Sequence, residues 1–254
     1  MIQSRVIPCL LLKGCGLYKT IKFKNPVYIG DPINAVRIFN DKGVDELVIL
    51  DIEASLTQRG PNFELIADIA SEAFIPLCYG GGVRSIDDFT RLFKLGVEKV
   101  SLNSAAVNTP DLIESAAKKF GRQSIVVSID AKKTLLGRYE TYINSGRENA
   151  KMDPVAAAKR AEELGAGEIL LYAMDRDGTM QGLDIPLINR VTEAVSIPVV
   201  ASGGASSLKD IAAAVHQGGA SAVAAGSMFV FQGKHKAVLI TYPTEEEIAA
   251  ALRR

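Results

Sequence analysis

Short runs of β-branched and aliphatic residues alternate with stretches of helical spacing from one end of the chain to the other. The runs fall at 6–12, 46–52, 75–79, 99–102, 124–130, 168–173, 197–202 and 222–226, and the alternation is the signature of parallel βα units. Between the first two, Asp31-Pro32 precedes apolar residues at Ile33, Val36, Ile38 and Phe39. This predicts a helix with Asp as its cap and Pro in its first turn. Eight such units in 254 residues favour a closed α/β barrel over an open sheet. No linker rich in Pro, Gly or Ser interrupts them, so the chain reads as one domain, 1–254.

The pattern also repeats. Ile75-Pro76, Gly81-Gly82, Ser85 and Asp88 recur as Ile197-Pro198, Gly203-Gly204, Ser207 and Asp210, each 122 positions later, and Glu46-Leu47-Val48-Ile49 matches Glu168-Ile169-Leu170-Leu171 at the same spacing. Two similar half-barrels, about 1–122 and 123–254, account for this.

Composition narrows the class further. Lys and Arg together number 29, as do Asp and Glu, so no net field is available to attract a nucleic acid or a membrane surface. No apolar run is long enough to span a membrane, and no signal peptide is evident. Three cysteines at scattered positions (Cys9, Cys15, Cys78) and only two histidines point to a reducing cytoplasm, with no metal site and no cofactor.

In a barrel, chemistry belongs at the carboxyl ends of the strands. Each half offers an anion site there: Gly81 and Gly82 with Asn103 and Ser104, then Gly203 and Gly204 with Gly226 and Ser227. Glycines let backbone N–H groups approach a phosphate, although tight βα turns need them for backbone reasons as well. Two pairs at symmetric positions imply a ligand with two phosphate ends spanning the mouth. Asp51, Asp130, Asp175, Asp177 and the nearby Lys19 lie between them as candidate proton-transfer or substrate-contact groups. At the opposite pole Arg5, Glu46, Lys99 and Glu168 begin strands one, two, four and six, so two bases and two acids alternate around a ring. Such a ring can be a salt-bridged plug or a gate. Treated as solvated, it predicts that charge reversal at Glu46 impairs passage more than folding.

Several segments together resemble HisF, the cyclase subunit of imidazole glycerol phosphate synthase, over residues 1–230. They are Val6-Ile7-Pro8-Cys9-Leu10, Tyr79-Gly80-Gly81-Gly82-Val83-Arg84-Ser85, Val100-Ser101-Leu102-Asn103-Ser104, Asp130-Ala131-Lys132, Asp175-Arg176-Asp177-Gly178-Thr179 and Ala201-Ser202-Gly203-Gly204-Ala205. The resemblance implies a (βα)8 TIM barrel whose bottom docks a HisH-like glutaminase and whose lumen passes ammonia to a phosphorylated substrate at the top. Arg5, Glu46, Lys99 and Glu168 become its ammonia gate and the glycine sites its phosphate clamps. The family's paired catalytic aspartates end strands one and five; Asp130 is the second, but Leu11 occupies the place of the first. Cys78 and Tyr172 stand where family cyclases usually carry small hydroxyl residues, and together with Tyr79 are expected to reshape the mouth. The segment 231–243 resembles a HisF paralogue group associated with amidation of surface-polysaccharide sugars, which implies a separate sugar amidotransferase as a further partner. The alternative is a true cyclase of histidine biosynthesis.

Overall fold

The computed structural model describes residues 4–253. Eight parallel strands form the barrel: β1 Arg5–Lys13, β2 Leu47–Asp51, β3 Leu77–Gly80, β4 Lys99–Leu102, β5 Ile125–Lys133, β6 Glu168–Ala173, β7 Val199–Ser202 and β8 Ala222–Ala225. Each pairs in parallel with the next, and β8 pairs with β1, so the sheet closes on itself. Helices such as Pro32–Asp41, Phe63–Glu72 and Leu208–His216 connect the strands on the outside. The chain is thus a single-domain (βα)8, or TIM, barrel. Among the described residues no helix is long and apolar enough to cross a membrane.

Period-two alternation decides which side chains face the axis. In β1, Val6, Leu10 and Leu12 pack into the helix layer, whereas Ile7 and Cys9 belong to a separate cluster with Val48, Cys78, Val126, Leu170, Tyr172, Val200, Ala222 and Ala224. That second cluster fills the lumen. β2, β3, β7 and β8 are shorter than their apolar runs suggest, whereas β1 and β5 run on to Lys13 and Lys133. Ile75-Pro76 and Ile197-Pro198 lie outside β3 and β7, but the carbonyls of Pro76 and Pro198 still accept from Leu47 and Ile169 N–H at 2.9 Å. Glu46 just precedes β2 and Gly226 just follows β8.

The helix at Pro32–Asp41 opens as its sequence predicts, with Asp31 accepting from Asn34 N–H at 2.9 Å. The repeat has a geometric counterpart too. A Cβ added at Gly81 would fall 2.6 Å from the Asp51 carbonyl oxygen, and one at Gly203 would fall 2.6 Å from that of Ala173. Both glycines have positive φ, +124° and +97°, so the close strand-to-loop approach in each half needs a residue without a side chain.

Among the described residues three antiparallel hairpins escape the apolar pattern: Phe231–Gln232 with Ala237–Val238 follows β8, and two others extend barrel strands. One, Gly16–Ile21 with Lys24–Gly30, follows β1; the other, Tyr139–Ile143 with Glu148–Asn149, follows β5. They extend the first strand of each half. In the register Leu11 stands opposite Tyr18 and Asp130 opposite Tyr142, which independently makes Leu11 and Asp130 equivalent positions.

Candidate functional site

The bottom ring is closed. Arg5 donates to Glu46 and to Glu168, while Lys99 Nζ lies 2.8 Å from Glu46 Oε2 and 2.8 Å from Glu168 Oε2. Both carboxylates are buried, at 3% and 5% exposure, so the solvated ring expected from sequence is corrected here. The reason is placement: these side chains start strands whose next inward residues are apolar, and only the two cations reach solvent. Burial alone would pull the Arg5 guanidinium and Lys99 ammonium down, yet the charges of Glu168 and Glu46 hold both above their ordinary pKa values. Charge reversal at Glu46 would therefore strike folding directly.

Above the ring the lumen is neutral. Burial pushes the Cys9 thiol up to about 12, and Cys78 also lies well above its ordinary range. Cys78 pairs in register with Lys99 and feels Glu46 and Glu168, so it belongs just above the ring and not at the mouth. Tyr79 points into the outer helix layer. Of the three residues expected to reshape the mouth, only Tyr172 reaches it, because odd and even positions of β3 face the helices and the lower lumen.

At the top, a cavity of about 210 Å³ is lined by Leu11, Leu50, Ser101, Ser128, Asp130 and Tyr172 and extends over Gly81, Gly82, Asn103 and Ser104. Asp130 projects inward from β5 with 7% exposure, and its carboxyl is pushed up to about 7, first by burial and then by the charge of Asp177, with the Ser128 hydroxyl pulling the other way. A group poised there can give or take a proton near neutrality. Leu11, 5% exposed and lining the same cavity from the opposite side of the barrel, can do neither.

The other acids are occupied. Asp51 Oδ1 accepts from Glu53 and Ala54 N–H at 3.0 Å each, and Oδ2 takes Arg59 at 2.8 Å. Asp177 accepts from the Thr20 hydroxyl at 2.6 Å, Phe23 N–H at 3.1 Å and the Tyr172 hydroxyl at 3.2 Å, which fastens the first hairpin to the β6 loop. Lys19 lies not with Asp130 but at the second glycine site, lining it with Gly203, Gly204, Gly226 and Ser227. A Cβ on Gly226 would meet Lys19 Nζ at 2.5 Å.

The two glycine sites do not open into one cavity: the second retains only about 10 Å³. Residues that the sequence did not single out also roof the mouth. Ser145, at the tip of the second hairpin, donates to the Ile52 carbonyl at 2.7 Å, and Asn144 N–H donates to Ser104 Oγ at 3.0 Å. Runs of positive φ at Lys22-Phe23 and Asn144-Ser145-Gly146 shape both tips.

Against known proteins, the model of a family described as histidine biosynthesis protein matches residues 5–236. A putative imidazole glycerol phosphate synthase subunit hisF2 of Pseudomonas aeruginosa is 51% identical over 243 residues, covering 96% of this chain and 97% of that one. The chain belongs to the HisF family. Two further relatives are named imidazole glycerol phosphate synthase subunit HisF. That of Alkaliphilus metalliredigens is 44% identical over 229 residues, covering 90% of this chain and 91% of that one. That of Lactococcus lactis is 51% identical over 212 residues, covering 83% and 82%. Membership accounts for the barrel, the repeated glycine turns and the opening of β1. It leaves open which reaction a HisF chain with Leu11 in this position supports.

Proposed function

We propose that this chain is the synthase subunit of a glutamine-dependent complex. It receives ammonia from a HisH-like glutaminase at the barrel bottom, passes it through the lumen, and supports its transfer to an acceptor at the mouth. The acceptor is an acetamido sugar of surface-polysaccharide biosynthesis, handled with a separate sugar amidotransferase. The observation that carries this reading is the axial order of the interior. A ring of paired charges, Arg5, Glu46, Lys99 and Glu168, lies at the bottom; neutral residues from Ile7 to Ala224 fill the lumen; Asp130 stands in a cavity at the top. Neutral ammonia crosses an apolar interior of this kind at far lower desolvation cost than ammonium. Gly82 and Ser104 form the anion-holding end of the acceptor site, and Asp130 is the group that moves protons there.

A second reading, cyclisation to imidazole glycerol phosphate, is favoured by the near-neutral carboxyl of Asp130 and by the names of the relatives. One assay separates the two. Mixed with a HisH-type glutaminase, the chain should stimulate glutamine hydrolysis, and with ammonium salts it should not cyclise the bisphosphate ribonucleotide precursor. Absence of stimulation would overturn the ammonia-receiving role; efficient cyclisation would favour the second reading.

A further inference from the structure

Among the described residues, Tyr172 alone lines both the main cavity and the small second glycine site. It sits in β6, 3% exposed, so its position is set by the barrel and not by a mobile loop. Its ring takes the edge-to-face contact of Phe23 at a centroid distance of 5.2 Å, and its hydroxyl donates to Asp177 Oδ1 at 3.2 Å. Lifting the first hairpin would release Phe23 and Thr20, yet would leave the phenol standing between the two halves of the mouth.

The volumes make the consequence plain. The 10 Å³ left beside Gly204 and Ser227 is the room of about one water molecule, and Lys19 already fills the approach along Gly226. The cavity on the other side is some twenty times larger. It runs continuously from Asp130 to Gly82 and Ser104, with the Arg147 side chain on its rim and on the adjoining cleft along the same two residues.

We propose that Tyr172 makes this mouth a site for a singly phosphorylated small molecule. The phosphate lies on the side of Gly82, Ser104 and Arg147, a compact polar body rests over Asp130, and a bisphosphate spanning to Gly204 and Ser227 is shut out. The inference rests on the reading of the mouth as the acceptor site and names the acceptor's charge pattern.

Calorimetric titration of the full chain with ribose 5-phosphate and with fructose 1,6-bisphosphate tests it. No glutaminase or ammonia is present, so a failure of ammonia delivery leaves this result untouched. Ribose 5-phosphate should bind one to one, with the bisphosphate no more than about threefold tighter, because Tyr172 keeps its second phosphate from the donors at Gly204 and Ser227. Phosphorus NMR of the parent chain with the bisphosphate should show one broadened phosphate line and one free. Tyr172→Ser keeps the Thr20 and Phe23 bonds to Asp177 and should tighten the bisphosphate relative to the monophosphate about tenfold or more. A parent chain that holds the bisphosphate tenfold tighter, immobilises both phosphates, or binds neither ligand would overturn the proposal. So would a folded Tyr172→Ser chain with the parent's ratio; should that variant not fold, the parent NMR result decides.

Discussion

At the bottom of the barrel two buried carboxylates, Glu46 and Glu168, each touch two cations; at the top Asp130, buried nearly as deeply, has no cation against it among the described residues. The first arrangement fixes charge, because every buried group has a partner of opposite sign. The second leaves a proton free to come and go, because burial and the neighbouring Asp177 both disfavour the carboxylate. The same functional group, a buried carboxyl, therefore closes one pole and equips the other, and the difference is made by what stands beside it.

The sharpest way to break this contrast is at the ring. Glu46→Lys puts a third cation beside Arg5 and Lys99 and leaves Glu168 alone to balance them. Losing one partner of a buried pair costs about 3–5 kcal/mol, and reversal costs more. Urea unfolding should show a severely destabilised chain; an unchanged midpoint would mean that the ring is not a paired plug.

At the other pole the expected signature is a pH dependence. Asp130 keeps its proton up to about pH 7 in the folded chain and releases it near about 3.9 when unfolded. Across that window the folded state binds more protons, so stability falls as pH rises, by about 1.4 kcal/mol per unit. Asp130→Asn should flatten this slope, read from unfolding midpoints at pH 5 and pH 7.5. A slope identical in the variant would place the proton elsewhere.

Leu11→Asp asks whether the mouth can be given a second acid. The new carboxylate would face Asp130 across the cavity, flanked by Leu10 and Leu12 on the helix side. A stability loss of about 1–3 kcal/mol is expected from an incompletely paired polar group. Ammonium-dependent cyclisation should rise above the parent's if a proton donor is all that is missing. If it does not rise, the single-phosphate cavity behind Tyr172 is the tighter restriction.

How much of this was legible beforehand follows from which interactions are local. Barrel strands show in sequence because residues such as Ile7 and Val6 are buried on opposite faces of one strand, giving unbroken apolar runs. The ring shows because charged residues at strand starts have few other uses. The hairpin strand Lys24–Gly30 is exposed over most of its length, so no apolar alternation announces it. The sequence could place Tyr172 at a strand end, but not the bonds from Tyr172 and Thr20 to Asp177 or the approach of Lys19 to Gly226. The Thr20–Asp177 bond spans 157 positions and the approach of Lys19 to Gly226 about 200, so only the fold brings them together; with the local bond of Tyr172 to Asp177 they turn two symmetric glycine turns into one open site and one closed one.

The smallest effect separates roof from walls. The ring and Asp130 belong to the barrel strands or their immediate ends, whereas Ser145 holds the tip of the second hairpin by one hydrogen bond to the Ile52 carbonyl, 2.7 Å long. Removing a single neutral hydrogen bond at a half-buried tip is worth about 0.5–1.5 kcal/mol, and the Ile52 carbonyl can turn to water once the tip lifts. Ser145→Ala should therefore barely move the global unfolding midpoint. Amide exchange at 144–149 should quicken, and ribose 5-phosphate should leave faster, because the roof over Gly82 and Ser104 is looser while the walls are intact. Equal exchange rates in parent and variant would show that the tip is held by its positive-φ turn and the hydrogen bonds between Asn144 and Ser104, making the roof as rigid a part of the barrel as the ring below.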